Sequence, residues 1–185
     1  LEALRVMAGQ AKVILSTAGP FARYSDLLVQ ACVEQGTHYT DITGENHWVR
    51  TLIDKHHENA SLKGVRIVPS CGYDSIPSDI GTFFAVSQFN KPVKRVELFQ
   101  EMQGGASGGT IETAFSMGKL SKEMRDPFLL NPENSATEEQ RKYSKDMMRI
   151  EKIEELDGWS GMFVMAAGNT RVVRRTAALM EQNQN

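Results

Sequence analysis

Along the first 90 residues, short apolar runs alternate with longer stretches of helical spacing. Lys12-Val13-Ile14-Leu15-Ser16-Thr17-Ala18-Gly19 is apolar until it meets Pro20. Thr37–Gly44 (THYTDITG) and Val65–Gly72 (VRIVPSCG) are two further β-leaning runs, and the three begin 25 and 28 residues apart. That is the spacing of βαβ units. Pro69 ends the third run early or places it at a sheet edge, because proline donates nothing to a ladder. Between the runs, Leu27, Leu28, Ala31 and Cys32 fall on one helical face, and Trp48, Val49, Leu52, Ile53, His56 and Ala60 on another. Gly36 and Gly64 follow these helices, where a left-handed C-terminal residue suits glycine. The pattern predicts an α/β fold with a doubly wound parallel sheet and right-handed crossovers.

Near Lys91 the pattern changes, which sets the expected domain boundary: 1–90 and 91–185. Val93–Met102 (VKRVELFQEM) alternates apolar and polar, as a half-exposed antiparallel strand does. A glycine-rich turn, Gly104–Gly109, precedes Thr110, which is placed to cap a helix bearing Ile111, Ala114 and Phe115. Residues 134–157 carry twelve charged side chains in 24 positions, the mark of a solvated helix or excursion. Eight of nine methionines lie after position 100, suited to ordinary core filling or to an adaptable apolar pocket.

Composition narrows the classes. With 21 Lys+Arg against 23 Asp+Glu, no basic excess points to nucleic acid. No run approaches the ~20 apolar residues of a membrane span. The two cysteines, Cys32 and Cys71, exclude a disulfide-dense scaffold and a CxxC metal site, and favour a reducing, cytoplasmic setting. The four histidines show no metal spacing. The chain begins at Leu1 within what reads as a helix, so it is expected to be a fragment.

Ligands of open α/β sheets sit beyond the carboxyl ends of the strands. Three loops qualify. Ala18-Gly19-Pro20 lets a backbone approach a flat ligand, or is simply a tight turn. Asp41 and Glu45 suit a ligand hydroxyl or the positive end of a helix, with capping the better reading for Glu45. Cys71–Asp79 (CGYDSIPSD) is the densest stretch. There Asp74 or Ser75 can cap a helix whose apolar face is Ile76, Ile80, Phe83 and Phe84. Tyr73 can donate a proton to a developing oxyanion, or is half-buried packing. Cys71 reads as a small hydrophobe before a reactive thiol. Gly104–Thr110 matches neither a Walker A loop nor GxGxxG. Arg171, Arg174 and Arg175 share a helical face that suits a carboxylate or phosphate, or ion pairs with the acidic run Glu151–Asp157.

Taken together, Val13–Phe21 (VILSTAGPF), Asp41–Glu45 (DITGE), Cys71–Asp79, Ser107–Thr110 (SGGT) and Asn169–Arg175 (NTRVVRR) resemble the saccharopine dehydrogenase-like oxidoreductases. The nearest branch is that of the trans-acting enoyl reductases. The resemblance covers nearly the whole chain. It implies part of a Rossmann-type nucleotide domain followed by the start of an α+β substrate domain. It also implies NAD or NADP as cofactor and reduction of an enoyl group on a lipid- or polyketide-like substrate. Family members open with a glycine-rich fingerprint for the pyrophosphate, so this chain is expected to start after it and to bind cofactor poorly alone. Under that resemblance Ala18, Gly19, Pro20, Asp41 and Ser75 are the expected cofactor contacts. Tyr73, standing where phenylalanine is common, and Asp74 are the candidate catalytic residues. Gly108, Gly109, Thr110 and Arg171 are the expected substrate contacts. Expected partners are a small-molecule or lipid-linked substrate, a peripheral membrane or lipid-droplet surface, and a second subunit. Two other readings stay open: a nucleotide-binding adaptor without turnover, and an amino-acid dehydrogenase of the saccharopine type.

Overall fold

The computed structural model describes residues 1–101, 125–144, 146, 150–154, 157–161, 163 and 165–182. The elements run α1 (Glu2–Gly9), β1 (Val13–Ser16), α2 (Phe21–Tyr24), α3 (Asp26–Gln35), β2 (His38–Asp41), α4 (Asn46–Leu62), β3 (Ile67–Val68) and α5 (Ile76–Ser87). Then follow α6 (Glu138–Tyr143), β4 (Glu151–Ile153), β5 (Gly158–Ser160) and α7 (Ala166–Gln182). The fold is mixed α/β, with a three-stranded parallel sheet in the order β1-β2-β3, as part of a Rossmann-like sheet would have.

Each of the three strands predicted in the first 90 residues forms where its apolar run lies. Val13 pairs with His38 and Ser16 with Asp41, while Tyr39 pairs with Ile67. β3 stops before Pro69 and lies at the edge of the described sheet, in line with proline's missing donor. Gly36 (φ 75°) and Gly64 (φ 65°) take the left-handed conformation expected of them.

The register places Ile14, Tyr39 and Ile67 on one sheet face. This face meets the helices: Ala8, Phe21, Val29, Ala31, Cys32, Tyr39, Trp48, Val49 and Leu52 make the core, with Ile14 and Ile67 packed against it. The Phe21 and Trp48 rings stack at 6.0 Å. Leu130, remote in sequence, inserts into the same core and is 1% exposed. On the opposite face Val13, Leu15 and Val68 remain 52%, 66% and 48% exposed. Parallel sheets are ordinarily covered on both faces, and the described residues cover one.

Several expectations are corrected. Leu27 is exposed and Val29 takes the buried position, because the core-facing stripe of α3 is Val29, Ala31, Cys32 and Val33. Residues 93–101 form no strand, since no partner lies among the described residues to complete a ladder. The charged stretch 134–157 holds an exposed helix, α6, opened by a Thr137/Gln140 capping box, but also the β4 strand of an antiparallel hairpin. Most informative is α5. Its apolar positions Ile76, Ile80, Phe83 and Phe84 are all exposed, while Ser78 is buried. The polar side of the helix, not the apolar side, packs on α7.

Candidate functional site

Because the three strands are parallel, their carboxyl ends open toward one edge. At the end of β1, Ala18 and Gly19 are exposed. Ala18 N donates to Ser16 Oγ at 3.4 Å, and the Gly19-Pro20 bond is cis. Directly after it, α2 begins without a cap from its own N-terminal residue. The cap comes from Glu45, whose carboxylate accepts from Phe21 N at 2.7 Å and Ala22 N at 3.0 Å. Capping is thus the function of Glu45, but for a helix 24 residues upstream. A carboxylate at a helix N-terminus gains from both the orphan donors and the dipole. Glu45→Ala is expected to lower stability by about 2–3 kcal/mol, since it leaves two donors unmet at a site 4% exposed. Urea titration followed by circular dichroism measures this, and a midpoint equal to wild type would refute the cap.

Asp41, at the end of β2, is fully buried. Its Oδ1 accepts from Thr43 N and Ser70 N, both at 3.0 Å, and its Oδ2 accepts from the Tyr39 hydroxyl at 3.0 Å. Its backbone carbonyl accepts from Cys71 N at 2.7 Å. Burial pushes the Asp41 carboxyl up from the ordinary carboxylate range, and the three donors pull against it. Within the described residues this carboxylate binds the loop after β2 to the loop after β3.

The loop after β3 carries Tyr73 and Asp74, both exposed, Tyr73 at 83%. Gly72 lies against Ile42: a Cβ there would stand 3.0 Å from that of Ile42. Only glycine allows this approach without displacement. Ser75 is the N-terminal flanking residue of α5, yet its hydroxyl does not cap that helix. It donates to Asn169 Oδ1 on α7 at 3.2 Å. Asn169 Nδ2 in turn donates to Ser78 Oγ at 3.2 Å, and Gln100 Nε2 donates to the same oxygen at 2.9 Å. Thr176 donates to Asp79 Oδ2 at 3.0 Å. On the other side, Asn46 Nδ2 donates to the Gly168 carbonyl at 2.9 Å. The Asp41–Asn46 loop, the Cys71–Asp79 motif and the start of α7 therefore converge, although more than 90 residues separate Ser75 and Ser78 from Asn169.

Arg171 is placed inside this assembly. Its Nη1 donates to both Asp146 oxygens at 2.9 Å and its Nη2 to the Arg125 carbonyl at 2.7 Å. Arg174 reaches the Pro127 and Ser144 carbonyls, and Arg175 the Leu130 carbonyl. Among the described residues the three guanidiniums tie 125–144 and Asp146 to α7, and Asp146 is the carboxylate that pairs with Arg171 and Arg174. Burial lowers the pKa of Arg174 and of Arg175. Gly108, Gly109 and Thr110 lie outside the described residues.

Sequence reasoning did not single out Asn169 as a site residue, nor Asn46. For Asn169 the signal available was its polarity between the small residues Gly168 and Thr170, which predicts a partner without saying where it lies; Asn46, between Glu45 and His47, carried no such signal. Cys32 is buried, and its thiol is pushed up to about 11. Cys71 is exposed, its Sγ donating to the Val68 carbonyl at 3.3 Å. Among the described residues no group of three or more His, Cys, Asp or Glu is placed to hold a metal ion, and no helix is long and apolar enough to cross a membrane. Ala18 and Gly19 set no side chain larger than a methyl above the end of β1, and both are open to solvent.

Comparison with known proteins points in one direction. A trans-acting enoyl reductase of Mycobacterium tuberculosis (strain H37Rv) is 36% identical over 198 aligned positions, covering 96% of this chain and 46% of that protein. One from Mycobacterium bovis (strain BCG) has the same identity and coverage. One from Mycobacterium ulcerans is 37% identical over 194 positions, again 96% and 46%. The chain thus spans about half the length of the curated relatives it matches. No family model and no solved structure matches it.

Proposed function

We propose that this chain is the portion of a nicotinamide-dependent enoyl reductase that presents the strand-end loops to cofactor and substrate. The observation that carries the reading is the similarity of 96% of the chain to proteins named trans-acting enoyl reductases. The open strand edge at Ala18–Gly19 supports a place for the cofactor, and Pro20 stiffens its approach. When bound, the nicotinamide, as NADPH or NADH, supplies the hydride that adds to one carbon of the double bond. The other carbon needs a proton. Tyr73, exposed beside Asp74 on the loop after β3, is the candidate donor. Asp41 and Ser75 serve this site from behind, by fixing the two ends of that loop. Likeness to the saccharopine dehydrogenase-like oxidoreductases belongs to the same proposal. An apolar, lipid-linked substrate is supported by the exposed Ile76, Ile80, Phe83 and Phe84 stripe that starts where this loop ends.

The test is a fluorescence titration of NADPH and NADH against the protein at the full length of its relatives, with this 185-residue chain as control, followed by turnover of an enoyl thioester. Binding by the longer protein and oxidation of the cofactor by the thioester are expected. Binding without turnover of any enoyl substrate would replace the reductase with a nucleotide-binding adaptor. No binding at all would remove both.

A further inference from the structure

The loop that carries Tyr73 and Asp74 is short and anchored at both ends by buried side chains. At its start, Ser70 N and Cys71 N donate to the side chain and backbone of Asp41. At its end, Ser75 and Ile76 both donate their N–H to the Gly72 carbonyl, at 3.2 and 3.0 Å, and Ser75 Oγ reaches Asn169. Only Gly72, Tyr73 and Asp74 stand between these anchors, and Gly72 is pressed on Ile42. The two anchors differ in kind. Asp41 is part of the sheet. Asn169 belongs to α7, and among the described residues the two ends of its amide meet both buried serines of the motif. Asn169 is 4% exposed, Ser75 3% and Ser78 4%. Water therefore does not compete for these bonds, and each is worth more than on a surface. Gln100 adds a third segment to Ser78, so the cluster joins α5, α7 and the stretch leading away from α5.

We infer that Asn169 is a positioning residue: by bridging Ser75 and Ser78 it fixes the angle at which the Gly72–Asp74 arch presents Tyr73 and Asp74. This rests on the proposed reduction taking place at that arch. The same helix pair supplies its own control, since the Thr176–Asp79 hydrogen bond joins α7 to α5 without touching the arch. A misplacement of about 1 Å from a substitution away from the chemistry can cost about a hundredfold in rate. Loss of interface stability alone does not.

The experiment compares Asn169→Ala with Thr176→Val in the full-length protein, by enoyl turnover and by amide hydrogen exchange over residues 71–76. Asn169→Ala is expected to lower kcat about ten- to a hundredfold. Its KM for the nicotinamide nucleotide should stay within about twofold, and exchange in the arch should quicken about tenfold or more. Thr176→Val should lower the melting temperature comparably, with kcat and arch exchange near wild type. Asn169→Asp keeps the acceptor for Ser75 and loses the donor for Ser78, and should fall between. It, together with Ser75→Ala, decides the matter if Asn169→Ala does not fold. Equal kcat in Asn169→Ala and Thr176→Val would overturn the inference, as would unchanged exchange in the arch. A wild-type protein without turnover would instead overturn the reductase reading. Faster arch exchange in Asn169→Ala alone would then still uphold the clamp.

Discussion

Replacing Asp41 with alanine is expected to destabilise the chain by about 3–5 kcal/mol, because it strands three buried donors at once. Thr43 N, Ser70 N and the Tyr39 hydroxyl all converge on a carboxylate that is 0% exposed. Each donor was desolvated on folding, and none gains a replacement from alanine. Asp41→Asn keeps the shape and one acceptor oxygen for the two N–H groups, and the Tyr39 hydroxyl can rotate to accept from the new amide. It should cost about 1 kcal/mol. Guanidinium titrations of the three proteins measure both values. Equal midpoints for wild type and Asp41→Ala would remove Asp41 from the structural role assigned to it.

The pH dependence has a sign. Burial, the largest influence, raises the native pKa of Asp41 above its ordinary 3.8. The native state therefore holds this proton to higher pH than the unfolded state does. Its contribution is fullest below pH 3.8 and declines as pH rises through the native value. The cost of Asp41→Ala should accordingly be larger near pH 4 than near pH 7. Glu34 works the opposite way: hydrogen bonding to Arg5 holds it down at about 2. Its contribution is present above 4.5 and lost as pH falls toward 2.

Arg171→Ala should cost about 3 kcal/mol, the lower end for breaking a buried ion pair, since Asp146 keeps 23% of its side-chain surface in water. The loss has two parts: an Asp146 carboxylate left with Arg174 at 3.9 Å and the Thr170 hydroxyl at 3.4 Å, and an Arg125 carbonyl that loses its guanidinium donor. Arg171→Lys retains the charge but not the fork, and one ammonium cannot serve the carboxylate and the carbonyl in the same geometry. About half the loss should return. Thermal unfolding reads the effect directly. A substrate-carboxylate role for Arg171 makes a different forecast: weakened substrate binding with an unchanged melting temperature. That result would detach Arg171 from Asp146 and favour amino-acid chemistry over enoyl reduction.

How much of this was legible in the chain depends on the range of the interactions. The three β-runs, the helices between them, the glycine C-termini at Gly36 and Gly64 and the early end of β3 at Pro69 are local matters. Backbone sterics and apolar periodicity decide them within a few residues. The Trp48–Ala60 face was likewise readable, because its partner is the sheet laid down by the neighbouring runs. The strand-end loops were identified by position alone.

What only the tertiary structure decided are the partners. Amphipathic spacing gives α5 an apolar face at Ile76, Ile80, Phe83 and Phe84, yet among the described residues the polar side packs, because Asn169 and Thr176 of α7 offer hydrogen bonds to Ser75, Ser78 and Asp79. Glu45 was read as a cap, but its helix lies 24 residues away, reached only once β1 and β2 pair. The arginines of α7 read as a ligand face or as ion-pair partners of Glu151–Asp157, and the fold sets Asp146 and four carbonyls against them. The sequence by itself determined the three parallel strands and the helices between them in the first 90 residues, since these follow from each residue's own conformational cost and its near neighbours. Which polar group meets which was decided by the fold, since a hydrogen bond requires contact, and contact between distant segments is set by packing.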